Sequence, residues 1–196
     1  MLMLDTRPYL RVLIIALALV AGQTLAPPSA QAYVEETVGG TTDTGDESNH
    51  CILVRLEVQS QVSLTHWSHF LRNSDDEQLT FEIYEKNSSN DFVRRDELTR
   101  TKVGTVGGFF SGFDWESSPT MVVTLESGKE YGLATCWGPQ AQIKWKQAPV
   151  SGNPPAETTV FGRVIATAGQ EPVTGSTQSF VVSNLLPQMR LQTSVG

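Results

Sequence analysis

From Cys51 onward the chain alternates apolar and polar residues in short runs, and this period of two constrains the fold more than any other feature. Ile52, Val54, Leu56 and Val58 alternate with Leu53, Arg55 and Glu57, the pattern of a half-buried strand. In the next run Val62, Leu64, His66, Ser68 and Phe70 share one face, and Trp67 and Leu71 the other. Leu79, Phe81 and Ile83 alternate with Thr80, Glu82 and Tyr84, after the turn residues Asn73 to Glu77. Further runs cover 99–106, 120–125, 130–137, 142–146, 159–168 and 178–182, separated by breakers such as Gly107-Gly108, Ser127-Gly128, Gly138-Pro139 and Pro154-Pro155. No long segment carries a 3.6-residue apolar period. About nine or ten short strands, with a turn every 8 to 12 residues, predict an all-β fold. The expected architecture is a two-sheet antiparallel β-sandwich of jelly-roll-like form spanning 51–196.

The N-terminus has a different character. Arg7 and Arg11 precede an apolar stretch, Val12 to Gly22, and Ala30-Gln31-Ala32 supplies small residues for a signal peptidase. Eleven helical residues reach about 16 Å, roughly half a bilayer core, so the stretch is too short for a permanent anchor. Residues 1–32 therefore read as a cleaved signal helix, with cleavage before Tyr33, rather than a retained anchor. The expected product is exported, periplasmic or extracellular, with no stable membrane insertion after cleavage. Residues 33–50, polar and rich in Gly, Thr and Asp, lack either period and predict a flexible leader.

The formal net charge is −7, and about −8 once the signal is removed. Such a surface favours solubility and repels polyanions, which argues against nucleic acid as a partner. Two cysteines remain in the exported chain. Cys51 and Cys136 are expected to form a disulfide closing a loop of about 85 residues, the alternative being two separate buried thiols.

Three stretches carry a likeness to known proteins. Residues 61–71 (QVSLTHWSHFL), 79–85 (LTFEIYE) and 122–134 (VVTLESGKEYGLA) resemble a loose class of secreted bacterial β-sandwich domains. The resemblance implies an extracellular accessory or stand-alone sandwich, with neighbours among carbohydrate-binding and pre-peptidase modules. It transfers no catalytic or binding residue.

Chemistry-bearing constellations are scarce. There is no Gly-x-Ser-x-Gly elbow, no His-Glu-x-x-His and no cysteine quartet. His66 and His69 lie three positions apart and so face opposite sides of a strand. His66 is expected at a sheet surface and His69 in a polar rim. A hydrolase would need two or three of His66, His69, Asp114 and Glu116 to converge in one pocket, and a non-catalytic protein is the expectation. Asp43, Asp46 and Glu47, or Asp75, Asp76 and Glu77, offer oxygen ligands for a structural calcium, the alternative being solvated acidic turns. No other cofactor is implied.

The remaining feature is aromatic. Phe109, Phe110, Phe113 and Trp115 crowd the segment GGFFSGFDWESSP, which reads as a loop, with Asp114 and Glu116 beside the tryptophan. Such rings either pack under their own loop or stand outward as a platform on which sugar rings stack while the acids bind hydroxyls. Trp137 and Trp145 could extend that surface, although Trp137 adjoins Cys136 and is expected against the disulfide. The leading expectation is a recognition or surface-associated module, with glycan binding as the version this loop suggests, and the alternative is a structural or protein-interaction component of the cell envelope.

Overall fold

A computed structural model describes residues 32–73, 77–104 and 112–194 of the 196. Residues 1–31, which contain most of the expected signal, lie outside the described part, as do Asp75, Asp76, Phe109 and Phe110. The chain is all-β, as its alternation predicts. In order, the strands are β1 (Tyr33–Val38), β2 (Asp43–Val58), β3 (Val62–Asn73), β4 (Glu77–Lys86), β5 (Phe92–Arg94), β6 (Arg100–Gly104) and β7 (Asp114–Ser117). They continue as β8 (Val123–Leu125), β9 (Glu130–Pro149), β10 (Ala156–Thr159), β11 (Gly162–Ala166), β12 (Thr177–Gln178), β13 (Leu185–Pro187) and β14 (Met189–Ser194). Every described ladder is antiparallel.

Two long strands join the layers of the sandwich. β2 and β9 pair along most of their length, with a register break between Ser48 and His50. The first half of β9 pairs with β4, from Thr80↔Cys136 to Glu85↔Tyr131, and its second half with β3, from Leu71↔Trp145 to Asn73↔Ile143. The ribbon thus passes from one sheet to the other at the break, where Asn49 takes a φ of 49°. One sheet holds β14 between β1 and β3, with β7 and β8 on the other side of β3. The other runs β4, β9, β2, β11, β10, with β5 and β6 beyond β4. Gly138-Pro139, a breaker on sequence grounds, lies inside β9 without ending it, because it falls in the register break between Trp137 and Gln142, where the proline needs no ladder partner.

Between the sheets lies one large core. Trp67, Leu71, Met189 and Leu191 meet Ile52, Val54, Leu56, Phe81 and Leu133, all buried. Trp67 donates its indole N–H to Thr135 Oγ1 at 3.1 Å, satisfying the one polar atom of a fully buried ring. A second, smaller cluster lies on the outer side of the second sheet, where Cys51, Leu53, Tyr84, Ala134 and Cys136 are covered by Phe180 and Phe92. This cover explains why Leu53, on the polar side of the β2 alternation, is fully buried.

Several expectations need correction. Residues 33–50 are not an unpaired leader: 33–38 form β1 against β14, and 43–48 pair with 142–147 of β9. Backbone pairing needs no apolar side chains, so a polar segment at a sheet margin leaves little trace in hydropathy. In β3 the alternation changes face at Thr65. Gln192 faces His66 and Thr193 faces Leu64, which leaves Thr65 as an extra residue, its hydroxyl donating to the Gln192 carbonyl at 3.0 Å. Val62 and Leu64 point inward before the bulge, and Trp67, His69 and Leu71 point inward after it. His69 is consequently fully buried and sits in no polar rim.

Cys51 and Cys136 are disulfide-bonded, with Cα atoms 4.0 Å apart. They are direct register partners on β2 and β9, so the bond links neighbouring strands that are remote in sequence. Trp137 does not pack on it. Successive β9 residues face opposite ways, and Trp137 turns into the main core while Cys136 joins the outer cluster. The Glu126–Lys129 turn forms as the sequence indicates, with Gly128 at φ 81°, a region that favours glycine.

Candidate functional site

The outer face of the first sheet gathers three aromatic rings from separate parts of the chain. Phe70 is on β3, Trp115 is its register partner on β7, and Phe113 immediately precedes β7. Phe70 lies 5.1 Å from Trp115 and 5.7 Å from Phe113 between ring centroids. All three are half-buried. Alternation past the Thr65 bulge puts Phe70 outward, since Trp67 and Leu71 take the core positions.

Cations lie over two of these rings. The Arg190 guanidinium of β14 sits 4.0 Å from the Trp115 centroid, and Lys146 Nζ of β9 sits 4.6 Å from that of Phe113. Arg190 reaches the same face because its register partner is Ser68, two residues before Phe70. Ser68 and Ser117 share a hydroxyl–hydroxyl hydrogen bond of 2.6 Å across the β3–β7 pair. Lys144, one step of the alternation from Lys146, faces Arg72 across the β3–β9 pair.

Of the residues expected to form a ligand surface, Phe113 and Trp115 come together, and Phe70 joins them. Asp114 is exposed at the start of β7, and its Oδ1 accepts the Trp115 backbone N–H at 2.7 Å. Glu116 corrects the expectation: it is buried, on the opposite side of β7 from Trp115, as the register partner of buried His69. The segment 114–117 is a strand, and strand alternation divides Trp115 from both neighbours. Phe109 and Phe110 lie outside the described residues. Phe70, Arg190 and Lys146 escaped sequence reasoning because they are far from residue 115 in sequence. An aromatic on the otherwise polar His66–Ser68–Phe70 side of a strand was the available signal.

The proposed hydrolytic group does not converge. His66 and His69 face opposite sides of β3, one half-buried and the other in the core. Burial lowers the His69 pKa to about 3, outweighing the Gln188 backbone, which favours the charged form. For calcium, Asp46 faces away from Asp43 and Glu47 on β2, and its Oδ2 is 2.8 Å from Lys144. Among the described residues no three His, Cys, Asp or Glu side chains group as metal ligands.

Two other concavities differ in character. A groove of about 590 Å³ crosses the outer side of the second sheet beside Phe92, Gln178 and Phe180. Its cations, Arg55 and Lys86, are both paired to Glu130, at 3.2 and 2.7 Å. A smaller cavity of about 300 Å³ lies at the bend of β2 and β9, where His50 stacks on Trp145 at 5.2 Å beside Glu47. Burial lowers the His50 pKa there, against the opposing charges of Glu47 and Glu171.

The chain matches no protein-family model and no curated protein. Among solved structures it is similar to a chain of the infectious bursal disease virus Gx strain structure, with 11% identity and a TM-score of 0.26. That likeness covers 87% of this chain and 43% of the viral one, and it is too slight to carry an argument.

Proposed function

We propose that the chain is an exported, non-catalytic recognition module that binds a glycan on the outer face of its first sheet. The observation that carries this reading is the Phe70–Phe113–Trp115 cluster, three half-buried rings on one sheet face. Pyranose rings present apolar C–H faces that suit such a surface, and their hydroxyls suit the flanking polar groups. Support for export comes from the disulfide and from a coincidence of boundaries: β1 begins at Tyr33, the residue that signal cleavage would leave first. No helix of the described residues is long and apolar enough to cross a membrane.

The test is binding of the secreted protein to a glycan array, repeated with the double variant Phe70→Ala, Trp115→Ala. Loss of binding with the melting transition retained is the expected result. Binding that survives the double variant would remove this face from the function.

A further inference from the structure

We infer that the ligand of this face is an anionic polysaccharide, a chain of pyranoses bearing carboxylates; the inference rests on the glycan reading above. It comes from where the protein leaves positive charge uncompensated. Away from the face, Arg55, Lys86, Arg94, Arg95, Lys129 and Arg163 each have a carboxylate oxygen within 3.3 Å. On the face the pattern changes. Lys146 Nζ bonds Thr44 Oγ1 at 2.9 Å and pairs with no carboxylate among the described residues. Arg72 is exposed and has no carboxylate partner among the described residues. Arg190 has only Glu35, whose oxygen is 3.7 Å from Nε, beyond hydrogen-bonding distance; that Nε–H, shut off from water, has no acceptor. Lys144 is the exception, held by Asp46 at 2.8 Å.

Among the described residues Arg100, off the face, also lacks a hydrogen-bonded carboxylate and bonds the Glu97 and Thr99 carbonyls, but a chain with a formal net charge of −7 gathers three such cations beside the Phe70–Phe113–Trp115 cluster. The placement discriminates between sugars. A neutral pyranose stacks on a bare ring, but the Trp115 face is covered by a guanidinium 4.0 Å from its centroid. That ring instead holds Arg190 in place, its forked donors free for a carboxylate, while Phe113 does the same for Lys146. Sugar carboxylates meet Arg190, Lys146 and Arg72, and hydroxyls donate to Glu35 beside Arg190. A polyphosphate has no hydroxyl donors to offer that acid.

The experiment measures affinity of the secreted protein for polygalacturonate and alginate, for neutral dextran and cello-oligosaccharides, and for inorganic polyphosphate. Polyuronate binding is expected, weakened about tenfold or more as salt rises from roughly 50 to 500 mM. Arg190→Gln and Lys146→Gln should each weaken it by about tenfold, whereas Arg95→Gln, off the face, should not. Arg72→Gln, with no carboxylate partner to lose among the described residues, gives the same readout if Arg190→Gln fails to fold. Neutral glycan binding indifferent to Arg190→Gln and to salt overturns the inference and leaves the glycan reading standing. Polyphosphate binding as tight as polyuronate overturns it as well, by making the face a plain cation surface. No binding to any glycan overturns both.

Discussion

His69 sits in the core between the inward-facing Trp67 and Leu71, with no well-formed hydrogen bond to either ring nitrogen and only the Gln188 backbone nearby to favour its charged form. A buried imidazole without partners is tolerated only while neutral. The folded protein therefore resists protonating it until about pH 3, whereas the unfolded chain protonates it near 6.5. Between those values the unfolded state binds more protons. The stability His69 contributes is complete above pH 6.5 and is lost progressively as pH falls toward 3. The full loss is of the order of 4 kcal/mol. Thermal melts at pH 7 and pH 4 should show a smaller acid shift for His69→Leu than for the wild type. Equal shifts would assign acid sensitivity to carboxylates instead. Trp67 makes a second point at this scale. Trp67→Phe removes the five-membered ring with its N–H, leaving Thr135 Oγ1 without its donor and a void in the core, so about 2–4 kcal/mol of stability should go in denaturant titration.

At the scale of elements, the Thr65 bulge and the cover over the second sheet do the most positioning. Were Thr65 paired as an ordinary strand residue instead of bulged, the alternation of β3 from residue 66 onward would present Phe70 and His66 to the core and Trp67 and Leu71 to water. Deleting Thr65 joins inward Leu64 directly to outward His66 and keeps every later residue on its face, so that variant should still unfold cooperatively, as should Thr65→Ala, melting a few degrees lower; loss of cooperative unfolding on deletion would show that the bulge itself is required. The cover is held by Phe180, whose ring packs 4.6 Å from Phe92 and 5.5 Å from Tyr84, directly over Gly132. A Cβ at Gly132 would overlap that ring and lift it. Gly132→Ala should raise amide exchange in 177–183 and cost about 1–3 kcal/mol, leaving protection in the main core unchanged. Uniform loss of protection would show that the cover and the core open as one unit.

For the whole molecule, the disulfide matters through what it does to the unfolded chain. It ties residues 85 apart in sequence, and the chain-entropy account assigns such a loop up to roughly 4 to 5 kcal/mol. For a domain of this size that corresponds to a melting temperature lower by about 10 °C or more after reduction. The double variant Cys51→Ala, Cys136→Ala should melt near the reduced protein and show no response to dithiothreitol. A wild-type transition unmoved by dithiothreitol, with reduction verified by thiol titration, would mean the β2–β9 pairing around it is sufficient. The bond sits among register partners in a continuous ladder, so its loss should leave the topology intact.

The sequence by itself determined the class of fold, the core of most strands and the disulfide pair, because alternation is local and two cysteines allow only one bond. It also showed the Glu126–Lys129 turn, where glycine supplies a left-handed backbone. Only the tertiary structure decided which way the outer residues of β3 face, since one bulged residue at Thr65 reverses the parity and its partner strand lies about 127 positions away. It alone brought residues 33–50 into the sheets, because polar strand margins pair through backbone atoms that hydropathy does not record. The candidate site was legible in part: Phe113 and Trp115 stand out in their segment, and Asp114 with them. Burial of Glu116 follows from alternation once 114–117 is a strand. The convergence of Phe70, Arg190 and Lys146 depends on three ladders between distant segments, and no local pattern encodes it.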